Sequence, residues 1–393
     1  MVATAEAWAR PRRRGASGPY DHALLSVAGR QGEGQGPLRE RRVTLLVDWR
    51  VRAEPFWLKQ ELEKDGYLVD LLGSSDAGTL MGSGALNKLL QWARWTMLGI
   101  KGARHAAHTD GTVLAWNFVI GACASVWCRL MGGTGPPVLA LNMIARDKGA
   151  FHTAIRRMAY RAAFANPRMH LTVNSPELRE KYVLRFGAPG RRAHVLRDPW
   201  QPHYAVVPPA ASDDGYVFAG GQGGRDWTTL VAAACRCPEI PFRVVASPAD
   251  WPHSLHPPDN LRVELGTPEA GFYARARGAR LVVVPLLSDV TSGLIVLVRC
   301  VLLGRAVVST DTPATAAYYP EACEQLLVPI GDPERLASTI AALWNSANDR
   351  LEAAQALQGY VLAEYSPQTF AHSVSRLLAQ MDRTYRGGGA GRT

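Results

Sequence analysis

A chain of 393 residues, with 47% hydrophobic and 20% charged side chains, has the make-up of a folded protein and the length for two domains with full cores. That balance excludes a disordered or fibrous chain. The net charge of +10 favours anionic partners without choosing among nucleic acid, acidic lipid and phosphorylated substrates.

The six cysteines include no CxxC pair, so reduced thiols in a cytosolic protein are expected rather than a zinc site or a disulfide framework. Residues 1–41 are rich in Gly, Arg and Ala and carry Arg10-Pro11-Arg12-Arg13-Arg14 with no apolar run. They read as a disordered leader rather than a secretory signal. Val43–Val47 is a strand, Pro55–Asp65 a helix stopped by Gly66, and Tyr67–Leu72 a second strand, which together make a strand-helix-strand unit. Leu86–Ile100 has helical spacing, with Leu86, Leu89, Leu90, Ala93, Met97 and Ile100 on one face. The expectation is that this face meets the core and that Lys88, Trp92 and Trp95 point outward.

The uncharged run Gly111–Cys128 lies at the short limit of a membrane span, but it divides into a strand (Thr112–Trp116) and a helix reaching Met131, and reads as core. A strand at Val138–Asn142, a basic helix at Ala150–Ala165 with Arg156, Arg157 and Arg161, and a strand at Leu171–Asn174 follow. A helix opened by Ser175-Pro176-Glu177 and a strand at His194–Leu196 complete this half. Residues 199–214, with Pro199, Pro202, Pro208 and Pro209, read as a linker.

The alternation then resumes. Strands are expected at Tyr216–Ala219, Phe242–Ala246, Leu261–Leu265, Leu281–Pro285 and Arg305–Thr310. Helices are expected at Asp226–Cys235, Gly271–Arg277, Leu294–Leu303, Pro333–Tyr360 and Pro367–Tyr385, and residues 386–393 form a flexible tail. The fold class is α/β, with two doubly wound halves.

Two stretches can carry chemistry. Tyr216–Ala219 runs into Gly220, Gly221, Gly223 and Gly224, then Arg225 and a helix cap at Asp226. Glycines admit a phosphate close to the backbone, and arginine forks onto its oxygens. Thr291, Ser292 and Gly293 open an apolar helix after another strand, which makes an anion site at a helix N-terminus. Both belong to one doubly wound half, so both should reach the carboxyl edge of one sheet.

These residues also carry a resemblance. The ordered set Phe218-Ala219-Gly220-Gly221 with Arg225-Asp226-Trp227, then Val263–Gly266, then Val283-Val284-Pro285 with Thr291-Ser292-Gly293-Leu294, Leu303–Thr310 and Ile330–Ala337 resembles the nucleotide-sugar-binding domain of GT-B glycosyltransferases. It is similar in particular to the large retaining group called family 4. The resemblance covers residues 215–380; the first half agrees in architecture.

It implies a GT-B fold of two Rossmann-like domains facing a cleft. The acceptor domain would span 42–198 and the donor domain 215–360, and a helix over 361–385 would cross back. It implies a nucleotide-diphosphate sugar as donor substrate, no cofactor and no metal. Gly220 and Gly221 would face the donor phosphates and Arg225 would pair with them. Glu264, in the segment bordering the base, and Thr291, Ser292 and Gly293 would bind the donor. Two glutamates that the group usually carries fall at Val290 and Val298 in this chain, with Asp289 adjacent to the first. Asp289 is therefore one catalytic candidate, and Arg146, in the loop after the Val138–Asn142 strand where the acceptor cleft would lie, is the other. Lys88, Trp92 and Trp95, with Arg157 and Arg161, are candidates for docking on an anionic membrane surface from the cytoplasm; packing of the tryptophans under a neighbouring helix is the alternative. No nucleic-acid partner is expected. The competing functions are a catalytically impaired relative acting as a binding protein and a GT-B sugar-nucleotide epimerase.

Overall fold

The structure is a computed structural model and describes residues 40–51, 56–74, 85–132, 135–143, 149–210, 212–288 and 293–386. Its first half holds β1 (Arg41–Val47), α1 (Trp57–Lys64), β2 (Tyr67–Gly73), α2 (Ala85–His108), β3 (Thr112–Ala115), α3 (Phe118–Leu130), β4 (Val138–Ala140), α4 (Gly149–Phe164), β5 (Met169–Val173), α5 (Pro176–Phe186) and β6 (Ala193–Val195). The strands form one parallel sheet in the order β2-β1-β3-β4-β5-β6. Short, apolar, β-branched strands buried on both faces are what a parallel sheet covered by helices requires.

The second half holds β7 (Val217–Gly221), α6 (Trp227–Cys235), β8 (Phe242–Ala246), β9 (Leu261–Leu265), α7 (Glu269–Gly278), β10 (Leu281–Val284), α8 (Leu294–Leu302), β11 (Val307–Thr310), α9 (Pro313–Ala316), β12 (Leu327–Val328), α10 (Pro333–Asn345) and α11 (Ala347–Glu364). Its sheet is again parallel, in the order β12-β11-β10-β7-β8-β9. The order reverses between β1 and β3 in one sheet and between β7 and β10 in the other. Those two places are where a doubly wound sheet opens a crevice for ligands.

The last helix, α12 (Pro367–Arg386), packs on the first sheet. Phe370, Val374, Leu378 and Met381 join Val43, Leu45 and Leu58 in one buried cluster, and Tyr67 Oη donates to Ser375 O at 3.0 Å. Residues 199–210 lie along the second half: Trp200 N donates to Tyr365 O and Val207 N to Leu302 O. Arg197 Nη1 bonds Tyr360 Oη at 3.2 Å and its guanidinium covers the Tyr365 ring. The segments beyond β6 and β11 meet here, since the Tyr365 ring under Arg197 stacks on Tyr318 at 4.3 Å.

Several elements differ from the sequence expectation, among them the short α9, which no pattern announced. The expected helix over Pro333–Tyr360 is broken at Ser346, whose side chain caps α11 by accepting from Asp349 N. β12 is too short to show any pattern. A further difference concerns α2. Leu89, Leu90 and Met97, expected in the core, are 67%, 38% and 56% exposed, while Trp95 packs with the buried Leu98, Ala103 and Ala106. Trp92 is exposed as expected, but the rest of the face is reversed, because helical spacing identifies an apolar side without saying what covers it. Gly111–Cys128 is core, as its β3 and α3 residues are largely buried. Among the described residues no helix is long and apolar enough to cross a membrane.

Candidate active site

The site is built at the β7/β10 reversal. After β7 the chain turns through Gly221, Gly223 and Gly224, with φ of 124°, 70° and 72°. Gly221 has a second constraint: a Cβ there would collide with the Arg225 guanidinium. The turn folds Arg225 back under its own loop, where it is 4% exposed. Its Nε donates to Gly220 O at 3.1 Å and its Nη1 to Gly223 O at 3.3 Å. Burial pulls its pKa down to about 10, against the opposing pull of Asp250, so it stays a cation at neutral pH. Asp250 in turn accepts from Gly223 N at 3.1 Å.

This loop is joined to the segment after β10. Arg225 bridges Leu286, Asp226 N donates to Pro285 O at 3.1 Å, and Leu287 N donates to Gly224 O at 3.0 Å. Hydroxyls from β11 hold the same segment: Leu286 N donates to Thr310 Oγ1 at 2.8 Å and Ser309 Oγ to Val284 O at 3.1 Å. Gly293 is the N-cap of α8, and a Cβ there would lie 2.9 Å from Leu286 Cδ2, so the helix starts tight against the end of β10. Gly220, Gly221, Arg225 and Gly293 thus come together around the reversal. Asp226 caps α6, accepting from Thr229 N at 3.0 Å, which aims a second helix start at the same edge.

The other expected residues are placed differently. Asp289, Val290, Thr291, Ser292 and Arg146 lie outside the described residues, as does the Lys88 side chain. Glu264 sits on β9, three strands from β10, and its carboxylate takes a 2.6 Å ion pair from Arg275, which holds its pKa below the usual range. Val298 is buried on α8. Trp92 is exposed, and Trp95 packs edge-on against it at 5.9 Å while resting on the core. Arg157 and Arg161 are exposed on α4, with α3 between them and α2.

The first sheet's reversal carries groups that the sequence did not single out as a unit. Asn117 Nδ2 donates to Asp48 Oδ2 at 3.0 Å across the ends of β1 and β3. Beside them Trp49, Phe56, Trp57, Trp116 and Phe370 form an edge-to-face cluster. Further along the same edge, Asn174 Nδ2 donates to Asp198 Oδ2 at 2.8 Å. Burial pushes the Asp198 carboxyl up, opposed by the bonds from Asn174 and Asn142. The only sequence signal for this edge is the recurrence of Asp48, Asn117, Asn142, Asn174 and Asp198 just past successive strands.

Two parallel doubly wound sheets, with their carboxyl edges meeting at one linker and a last helix returning to the first, make this a GT-B fold, the fold of nucleotide-sugar-dependent glycosyltransferases. No family model matches the chain, and no curated protein matches its sequence. Solved structures do share the fold. HepE of Anabaena, in complex with UDP, is similar with a TM-score of 0.62 and 14% identity, over 86% of this chain and 100% of that one. The E. coli trehalose-6-phosphate protein bound with UDP-2-fluoro glucose is similar with a TM-score of 0.60 and 11% identity, over 86% and 99%. WaaG, a glycosyltransferase involved in lipopolysaccharide biosynthesis, is similar with a TM-score of 0.54 and 12% identity, over 86% and 99%.

Proposed function

We propose that this protein is a glycosyltransferase that moves a sugar from a nucleoside diphosphate sugar to an acceptor. The observation that carries the reading is the junction at the β7/β10 reversal, where a glycine turn, the Arg225 cation and the start of α8 are bonded into one unit. The leaving group of such a transfer is a nucleoside diphosphate. Fixed positive charge aimed at it, in a site of low dielectric, lowers the barrier. Arg225 supplies that charge from behind the loop, and the N-terminus of α8 supplies backbone donors and dipole from the front.

The donor carries uracil in this reading, as do the ligands of HepE and the E. coli neighbour. The finer reading follows the resemblance to the retaining family 4 group: a metal-independent transfer with retention, in which cationic side chains and a helix start do the work of a divalent ion. Its proposed place is the cytoplasm, with an anionic membrane surface as partner.

One observation favours a second reading. Val298, in place of an acid, is buried on α8, so that position brings no carboxylate toward a donor. A chain that binds the nucleotide sugar without transferring it would fit that feature. Release of UDP from UDP-sugars, supplied with a mixture of glycan and lipid acceptors, separates the two. The transferase reading expects acceptor-dependent UDP release. Binding of UDP with no release under any acceptor would leave the second reading standing.

A further inference from the structure

We propose that the second half of the chain binds a phosphate group in a recess at the amino edge of its sheet, opposite the β7/β10 junction. The recess lies where Arg280 leads into β10, Arg305 leads toward β11, and α11 begins. Ala306 and Ala354, both buried, floor it with small side chains, and Gly304 and Ala347 also line it. Its free space is about 230 Å³ with the adjoining solvent included, so a phosphate sits at the mouth rather than deep inside. The four residues of β10 separate it from the Arg225 junction by about 13 Å. Ligands of a doubly wound sheet enter at the carboxyl edge, so this recess is no part of the donor site.

Three guanidinium groups converge there. Arg280 Nε donates to Asp213 Oδ1 at 3.0 Å, and its plane covers the Trp344 ring at 4.1 Å. Arg350 Nη1 donates to Leu343 O and Trp344 O at 2.7 and 2.9 Å, while its Nη2 reaches Asp213 Oδ2 only at 3.8 Å. Arg305 is 9% exposed; its Nη1 donates to Ser212 O at 3.0 Å, and its buried Nε has no acceptor. Such an unmet donor is costly. The carboxylate facing the arginines is Asp213, with Asp214 acting on Arg305 from further off. Burial, then the charge of Arg280, pulls the Arg350 pKa down; Asp213 opposes the fall and Arg305 adds to it. Positive charge therefore exceeds negative, and the start of the 18-residue α11 adds the positive end of a helix. The α11 acids Asp349 and Glu352 are exposed and stand outside the lining.

A guanidinium forks onto two oxygens of one anion, so three of them around a recess favour a phosphate over chloride. A phosphate oxygen also supplies the acceptor that the Arg305 guanidinium lacks. Apart from the arginines the lining is Ala, Gly and Leu, which offer nothing to a base or a sugar. Recognition is therefore of the phosphate itself, free or as a monoester. Bound there, it ties the end of the linker to β11 and α11, because Ala210 lines the recess and Ser212 and Asp213 bond its arginines. The site stands independently of the transferase reading.

The test is calorimetric titration of the full chain with inorganic phosphate and with glycerol phosphate, against chloride at equal ionic strength and with UDP in excess. Wild type is compared with Ala347→Glu, Ala347→Gln and Arg225→Ala. Ala347 is exposed at the first position of α11, where an acidic side chain suits the helix, so Ala347→Glu should fold like wild type. It should bind phosphate at least about tenfold more weakly, because its carboxylate competes for the arginines, and Ala347→Gln should lose less. Arg225→Ala should bind phosphate like wild type. Should Ala347→Glu melt early, Arg280→Gln, at the mouth, carries the same expectation. Tighter binding of glycerol phosphate assigns a monoester and the reverse assigns the free ion; either supports the recess. Phosphate binding without any response to UDP supports it too, while removing the transferase reading. Wild type that binds neither phosphate, or an Ala347→Glu variant that folds and binds equally, overturns the proposal. So does binding that Arg225→Ala abolishes and Ala347→Glu keeps, which places the anion at the β7/β10 junction.

Discussion

Arg225→Ala is the perturbation that the site's geometry makes most informative. The guanidinium makes two bonds to backbone carbonyls within its own turn, to Gly220 O and Gly223 O, and is almost fully buried. Bonds from a charged donor contribute about 1.5–3 kcal/mol each, so removing both costs on the order of 3 kcal/mol or more. In a chain of this size that lowers Tm by about 4 °C. Loss of the cation behind the phosphate loop should also weaken UDP binding by about tenfold, or 1.4 kcal/mol. Arg225→Lys separates the two effects, because lysine keeps the charge but cannot fork onto both carbonyls. It should lose stability like alanine and retain more of the affinity. Thermal unfolding with and without UDP, and calorimetric titration, read both quantities. An alanine variant that melts and binds UDP like wild type would refute the reasoning, since neither the loop bonds nor the charge would then matter.

Gly221→Ala forces a side chain into φ of 124° and into the Arg225 guanidinium, so it should cost about 1–3 kcal/mol, visible as a lower denaturant midpoint; an unchanged midpoint would mean that the turn relaxes freely. The Glu264–Arg275 pair predicts a small, pH-dependent term. The Glu264 pKa is depressed in the folded state, so its stabilisation is present above the unfolded carboxyl pKa and is lost as pH falls through the folded value. Glu264→Gln should therefore cost about 0.5–1 kcal/mol at neutral pH and nothing in strong acid, and a pH-independent cost would contradict this.

His170 gives the opposite chemical case with the same sign. Its Nδ1 is 2.9 Å from His194 Nε2 and its Nε2 is 2.9 Å from Tyr385 Oη. Burial, then the charges of His194 and Arg192, push its pKa to about 4. Its stabilisation is full above the unfolded value of about 6.5 and fades by roughly 3 kcal/mol as pH falls toward 4. His170→Gln should flatten the Tm profile between those limits, and an equally steep profile would count against the assignment.

The alternation of short β-branched runs with helical stretches made the two doubly wound halves readable, because buried parallel strands and their crossovers leave that pattern in any sequence. The meeting of Gly220–Arg225 with Gly293 was also readable in outline, since both follow strands of one sheet. The direction of Arg225 was not. Consecutive glycines with positive φ turn its side chain inward, and no residue pattern records that. Asp48 and Asn117 meet because β1 and β3 are neighbours, a fact of topology rather than of either residue's surroundings. The outward face of α2 was misread for a related reason: its apolar side looked like a core face, but Leu98, Ala103 and Ala106 on the other side are the residues that pack on the core.

The measurement that bears most directly on the central claim is a thermal-shift panel of nucleoside diphosphates and their sugars on the intact chain. UDP or a UDP-sugar should raise Tm, with a stabilisation near 2.7 kcal/mol once its concentration reaches about a hundredfold over Kd. The response should be smaller in Arg225→Ala. No shift with any nucleoside diphosphate or its sugar, at any concentration, would contradict the assignment of the β7/β10 junction as a donor site.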